Sequence, residues 1–100
     1  NKRPFFFLGS LFRDDLYAVG GNCEEFIYPG YDDNWFADCL MHGQGLHPVY
    51  MDDVVGWHMH HVRPPNIGSL IKPSRDLYRQ KLQNAQAGIT KWEASGGPWM

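Results

Sequence analysis

Three histidines, His58, His60 and His61, occupy four positions near the middle of the chain. On an extended strand, residues two apart point to the same face, so His58 and His60 would offer two imidazoles together. Zinc or another divalent metal held by this cluster needs further ligands, and the spacing selects none of them. The other candidates nearby are His42, His47, Asp52 and Asp53. The alternative is a half-exposed strand whose histidines bond to backbone groups.

The stretch MHHVRPPNIGSL, residues 59–70, resembles the start of the metal site in His-Asn-His family nucleases. The resemblance implies a ββα metal site that His60 and His61 open, with one of them as general base on the attacking water. In that family a later histidine on the helix holds the metal. This sequence has no histidine after His61. On the predicted helix, Asp76 and Asn84 are the residues that could replace that ligand. A small metal-dependent hydrolase or nuclease is therefore the alternative function.

A second stretch, GGNCEEF at residues 20–26, is similar to the glycine-rich approach to the nucleophile in papain-like and transglutaminase-like enzymes. The similarity implies that the Cys23 thiolate attacks a carbonyl carbon, while His58 or His60 transfers the proton. Asp76 or Asn66, which follow these histidines in the sequence, would orient the histidine. The two glutamates after Cys23 oppose this role, because neighbouring negative charge disfavours a thiolate.

Composition limits the classes of function that these residues can serve. One hundred residues suit a single small domain, residues 1–100, with an apolar N-terminal arm and a C-terminal helix. Aromatic residues make up 15% and charged residues 20%, a balance that favours protein interfaces. Acids outnumber bases up to Val62, and bases outnumber acids from Arg63 onward. This basic density is too low to predict nucleic-acid binding.

The longest apolar stretch, residues 4–12, is about half the length that a membrane-spanning helix needs, so no such helix is predicted. A core strand or arm is the favoured interpretation, and peripheral membrane contact is the alternative. The chain begins at Asn1, and a removed presequence would suit an organelle-imported or secreted protein. Cys23 and Cys39 form no C-x-x-C pair, which leaves both a disulfide and two reduced thiols open.

Apolar periodicity and turn signals predict an α+β fold. A short helix is predicted at about 34–42, followed by Gly43, and a long amphipathic helix at about 75–94, capped by Ser74. Gly88 is interpreted as an internal residue that weakens the long helix. Residues 5–12, 16–19, 25–28, 49–51 and 54–62 are assigned to short strands or apolar extended segments.

The long predicted helix carries one apolar stripe, which is too long for the core of so small a domain. Its predicted partner-binding residues are Tyr78, Leu82, Ile89 and Trp92, with Ala85 between them. The favoured function is a non-enzymatic accessory or interaction subunit of a larger protein assembly. Its partners would be other protein subunits, contacted through aromatic segments and this helix, and no resident cofactor is expected.

Overall fold

Helices form all the regular structure in the described part of the chain. A computed structural model describes residues 9–57 and 59–94. Helix α1 spans Arg13–Ala18, α2 spans Asp32–Asp38 and α3 spans Ile67–Gln86, while a π-helical turn at Cys39–Gly43 continues α2. Helix accounts for 45% of the described residues and strand for 0%, so the predicted α+β fold is wrong.

The predicted strand at residues 16–19 is instead the end of α1 and its cap. Two acids in the first turn of α1 suit the positive end of the helix dipole. A Schellman motif ends the helix, in which the Gly21 N–H donates to the Leu16 carbonyl at 2.9 Å and the Gly20 N–H to the Tyr17 carbonyl at 3.0 Å. Both glycines have positive φ, a conformation that glycine adopts without steric cost.

The other predicted extended segments have no strand partner among the described residues. Residues 49–51 and 54–62 are rich in β-branched and aromatic side chains, which prefer a pleated surface. A strand also needs a hydrogen-bonded neighbour, and the described chain contains no sheet to supply one. The predicted apolar arm falls mostly outside the described residues, and residues 9–12 are irregular.

The short helix has different limits from those predicted at about 34–42. Helix α2 begins at Asp32 and changes to π-helical geometry after Asp38, so the helical stretch ends at Gly43. Its N-cap is Tyr31, with φ 66°. Glycine is required at Gly43, because a methyl group there would lie 2.7 Å from the Trp92 carbonyl oxygen.

Helix α3 begins and ends earlier than the predicted 75–94. It begins at Ile67 and continues through Pro73, the residue before the predicted cap Ser74. Ser74 is therefore not an N-cap. It is buried inside the helix and donates its hydroxyl to the Tyr28 carbonyl at 2.8 Å. The sequence signal was misleading because α3 continues through Pro73, although proline carries no N–H to donate to the carbonyl four residues earlier.

Gly88 ends α3 rather than weakening its interior. Its φ is 76°, and its N–H donates to the Ala85 carbonyl at 3.1 Å. The Ile89 N–H donates to the Asn84 carbonyl at 2.9 Å, which completes a second Schellman motif. Residues 89–94 then leave the helix axis, so the predicted stripe does not continue along one helix.

The core lies where the helical stretch of residues 32–43 meets α3. Trp92, beyond the end of α3, stacks on Trp35 with ring centroids 5.8 Å apart. The Ala94 N–H donates to the Val19 carbonyl at 2.7 Å, which ties residues 89–94 to the end of α1. The buried cluster consists of Val19, Trp35, Phe36, Cys39, Leu40 and Ala85.

Candidate functional site

Between the π-helical turn and α3 lies a stretch without regular structure, and its central part is an exposed apolar segment, residues 49–62. Each described residue of this exposed segment is solvent-exposed. Trp57 is 91% exposed, Met59 83% and Val55 71%. Eight of the fourteen exposed large hydrophobic residues in the described chain fall here. They are Val49, Tyr50, Met51, Val54, Val55, Trp57, Met59 and Val62.

Sequence reasoning assigned these residues to strands and missed them as a surface. The available signal was that five of them, from Val54 to Val62, lie between the acidic pair Asp52-Asp53 and Pro64-Pro65. Apolar side chains in a strand without a neighbour remain exposed unless another molecule covers them.

The histidines do not form a common site in the described structure. The His42 ring lies 4.8 Å from the Trp92 ring, and the residue is exposed. His47, His60 and His61 are exposed. His58 lies outside the described residues, so the predicted cluster stays a prediction. Within residues 9–57 and 59–94, no three His, Cys, Asp or Glu side chains are grouped to hold a metal ion.

The nuclease-like interpretation gains no support from the local fold. Its ββα arrangement needs two strands before the helix, and the chain as described has none. Asp76, one of the substitutes for the missing histidine, forms an i,i+4 ion pair with Lys72 at 3.2 Å on the exposed side of α3. The other substitute, Asn84, lies near the end of α3, where its carbonyl accepts the Ile89 N–H.

The two cysteines are not joined in a disulfide, and they lie in different surroundings. Cys39 is only 2% exposed, and burial raises its pKa to about 12, with a smaller contribution from the negative charge of Asp38. Cys23 is half-buried in irregular chain, and its sulfur lies 4.0 Å from a carboxylate oxygen of Glu25. No helix opens at Cys23, unlike in the cysteine enzymes that its flanking sequence resembles.

The predicted partner-binding residues differ in how far they are exposed. Tyr78 and Trp92 pack against the buried cluster, and the Tyr78 hydroxyl also donates to the Asp38 carboxylate at 2.6 Å. Leu82 is half-buried on α3. Ile89, just beyond the end of α3, is 74% exposed. Ile89 is therefore the member of the predicted set that is most open to a partner.

A cleft of about 440 Å³ lies between α3 and residues 90–94. At its wall the Lys81 ammonium lies 2.8 Å from the Glu25 carboxylate and 5.8 Å from the Trp35 ring centroid. The indole nitrogen of Trp35 is buried without a hydrogen-bond partner within the described chain. Because this atom is shielded from solvent and the Lys81 charge is already paired, the cleft does not indicate a ligand class.

No helix within residues 9–57 and 59–94 has both the length and the apolar character to cross a membrane. No protein-family model matches the chain, and neither a curated protein nor a solved structure is significantly similar to it. The function is therefore inferred from the chain's own residues.

Proposed function

We propose that this protein is a non-enzymatic accessory or interaction subunit that docks onto other proteins of a larger assembly. The observation that carries the proposal is the exposed segment, residues 49–62, in which one continuous stretch presents eight large hydrophobic side chains to solvent. Single exposed hydrophobic residues are ordinary on protein surfaces, whereas a contiguous group marks an interaction site.

The core supports this proposal because it does not use the exposed segment. The buried cluster and the half-buried side chains packed against it come from residues 16–46 and 78–92. Docking through residues 49–62 would therefore leave the folded core intact. Trp57 and Met59 belong to the residue types enriched in protein interfaces, and a tryptophan often carries a large share of the binding energy.

The C-terminal part of the molecule has a secondary role in this proposal. Ile89 is exposed, while Tyr78 and Trp92 already contact the core. We therefore assign Ile89 to the edge of the docking surface. Substituting Tyr78 or Trp92 would lower the stability of the fold and would not test docking selectively.

The proposal is tested by the native mass of the assembly in extracts of cells that express the chain. We expect the wild-type chain to elute with other identified proteins, far above its own 11.5 kDa. The double variant Trp57→Ser/Met59→Ser should elute alone, because hot-spot residues are lost. Ile27→Ser is the matched control, since Ile27 is 78% exposed outside the segment. A free wild-type chain, or a double variant that stays in the assembly, contradicts the proposal.

The same proposal includes no resident metal. The variant His58→Gln/His60→Gln should bind as little zinc as the wild-type chain after gentle purification, and its stability should change only modestly. Stoichiometric zinc in the wild-type chain that is lost in the variant would instead support the metal-dependent hydrolase or nuclease alternative.

A further inference from the structure

Cys23 and Cys39 belong to the same part of the core, although fifteen residues separate them in the sequence. Cys39 is a member of the buried cluster, and Cys23 packs against that cluster. Negative charge at Cys23 also contributes to the raised pKa of Cys39, which is a Coulombic effect that weakens with distance. The fold therefore brings two nucleophilic sulfur atoms to one buried cluster.

The two thiols differ in how a dissolved reagent can reach them. Cys23 is half-buried in irregular chain, directly before a turn at Glu24 and Glu25. Cys39 is 2% exposed and begins the π-helical turn that follows α2. An oxidant therefore meets Cys23 first. A bond between the two sulfur atoms is about 2.05 Å long, and any adjustment that it needs falls on the irregular chain of Cys23.

We propose that Cys23 and Cys39 form a reversible intrachain disulfide by exchange with a small disulfide, of which oxidised glutathione is the example. The Cys23 thiolate attacks one sulfur of the oxidant, which releases one glutathione thiolate and leaves a mixed disulfide on Cys23. The Cys39 thiolate then attacks the Cys23 sulfur and releases the second glutathione thiolate. Two protein thiols are oxidised, the glutathione disulfide is reduced, and the two protein protons pass to the released thiolates.

The disulfide closes a loop over residues 24–38, which leads from Cys23 to the end of α2. Within this loop the Tyr31 ring stacks on Tyr78, with centroids 5.5 Å apart, and the Tyr28 carbonyl accepts the Ser74 hydroxyl. Cross-linking limits the conformations of the loop in the unfolded chain and so stabilises the folded chain. The redox state of the surroundings therefore sets the stability of the core, independently of docking through residues 49–62.

The second exchange step should depend strongly on pH. Burial raises the pKa of Cys39 to about 12, and the charges of Asp38 and Glu93 raise it further, while Lys81 lowers it. Below this pKa the thiolate fraction rises about tenfold for each pH unit. Conversion of the mixed disulfide to the intrachain disulfide should therefore accelerate about tenfold between about pH 7 and pH 8.

The test is the reaction of the reduced 100-residue chain with oxidised glutathione, stopped by acid and followed by mass spectrometry. We expect one glutathione adduct at Cys23, followed by a chain that is two hydrogen atoms lighter than the reduced chain. Cleavage after Glu24 and Glu25 then leaves the peptides of Cys23 and Cys39 joined until a reductant is added. Cys39→Ala should stop at the adduct, and Cys23→Ser should slow modification of Cys39 at least about tenfold.

The equilibrium constant for the exchange provides a second measurement, which needs no variant. Linkage is reciprocal, so folding favours the disulfide by the same factor by which the disulfide favours folding. The constant should be about 100-fold larger in native buffer than in concentrated urea.

An equal or smaller constant in native buffer overturns the proposal, because the fold then does not bring the thiols together. So does an adduct at Cys23 that persists in the wild-type chain, a modification of Cys39 that precedes that of Cys23, or disulfides that form only between two chains. Circular dichroism of each variant verifies that the helical core is intact.

Discussion

Trp35 and Trp57 lie in two regions of one small molecule, and the two regions differ in how far they bury the same type of side chain. Trp35 is 2% exposed and stacks on Trp92, whereas Trp57 is 91% exposed in irregular chain. Both residues stand in sequences rich in apolar residues. The difference is that α3 and residues 89–94 cover Trp35, whereas every described residue of the exposed segment is open to solvent.

The two tryptophans differ in what they contribute to the free energy of folding and to the free energy of association. Side chains around Trp35 leave water when the chain folds, so their burial contributes to the stability of the monomer. Side chains around Trp57 remain largely exposed, so they contribute little burial to the stability of the monomer. Substitutions in the two regions should therefore affect different measurements.

The largest expected effect comes from making the same change in both regions. Trp35→Ala should lower the free energy of unfolding by about 3–5 kcal/mol, because it leaves a cavity in the buried cluster. Trp57→Ala should change it by less than about 0.5 kcal/mol, because its side chain is exposed. Urea denaturation followed by circular dichroism measures both values. Similar losses in the two variants would mean that the exposed segment folds onto the core.

A smaller effect is expected where residues 89–94 pack against the π-helical turn. Gly43→Ala places a methyl group 2.7 Å from the Trp92 carbonyl oxygen and should cost about 1–3 kcal/mol. Gly68→Ala is the control, since a methyl group there contacts nothing within 4 Å and should stabilise α3 by about 0.5–1 kcal/mol. Thermal unfolding compares the two. A neutral Gly43→Ala would show that Trp92 does not pack on this turn.

The stability of the core should fall at alkaline pH. Burial raises the pKa of Cys39 to about 12, so between about pH 9 and pH 12 the unfolded chain loses a proton that the folded chain keeps. Over this window the free energy of unfolding should fall by up to about 1.4 kcal/mol per pH unit for this thiol. Burial and the hydrogen bond to Asp38 raise the pKa of Tyr78 in the same direction. Urea denaturation at pH 8 and pH 10 measures the fall, which should be smaller in Cys39→Ala.

The smallest of these effects concerns the link between α3 and the chain before α2. Ser74→Ala removes the hydrogen bond to the Tyr28 carbonyl at a site that is 2% exposed, and should cost about 1 kcal/mol. Ser69→Ala, on the exposed side of the same helix, should have little effect on stability. Equal values for the two serines would contradict the assignment of Ser74 to this contact.

Local sequence signals located the helices better than they located strands. Gly43 was predicted to follow the short helix, and the helical stretch that begins at Asp32 ends there. Gly88 also ends a helix, but the apolar spacing through Ile89 and Trp92 resembled a continuing helix, so its role was missed. Apolar residues can recur at the same sequence intervals in a continuous helix and in a helix that is followed by a reversal of the chain.

The exposed segment could not be assigned correctly from local preference. Val54, Val55 and Trp57 favour strand conformation, but strand formation depends on a neighbour that only tertiary or quaternary structure supplies. The contact of Ser74 with Tyr28 also joins residues 46 positions apart, which periodicity does not reveal. Non-local contacts therefore account for most of what sequence reasoning missed.

The most direct test of the central claim is amide hydrogen exchange on the full chain, alone at low concentration and in its native assembly. We expect rapid exchange at Val55, Trp57 and Met59 in the isolated chain and strong protection of these amides in the assembly. Exchange at Cys39 and Leu40 should be slow in both states, because these residues are buried in the core. Protection of the exposed segment in the isolated chain, or its continued rapid exchange in the assembly, would contradict the claim that this segment is where the protein docks.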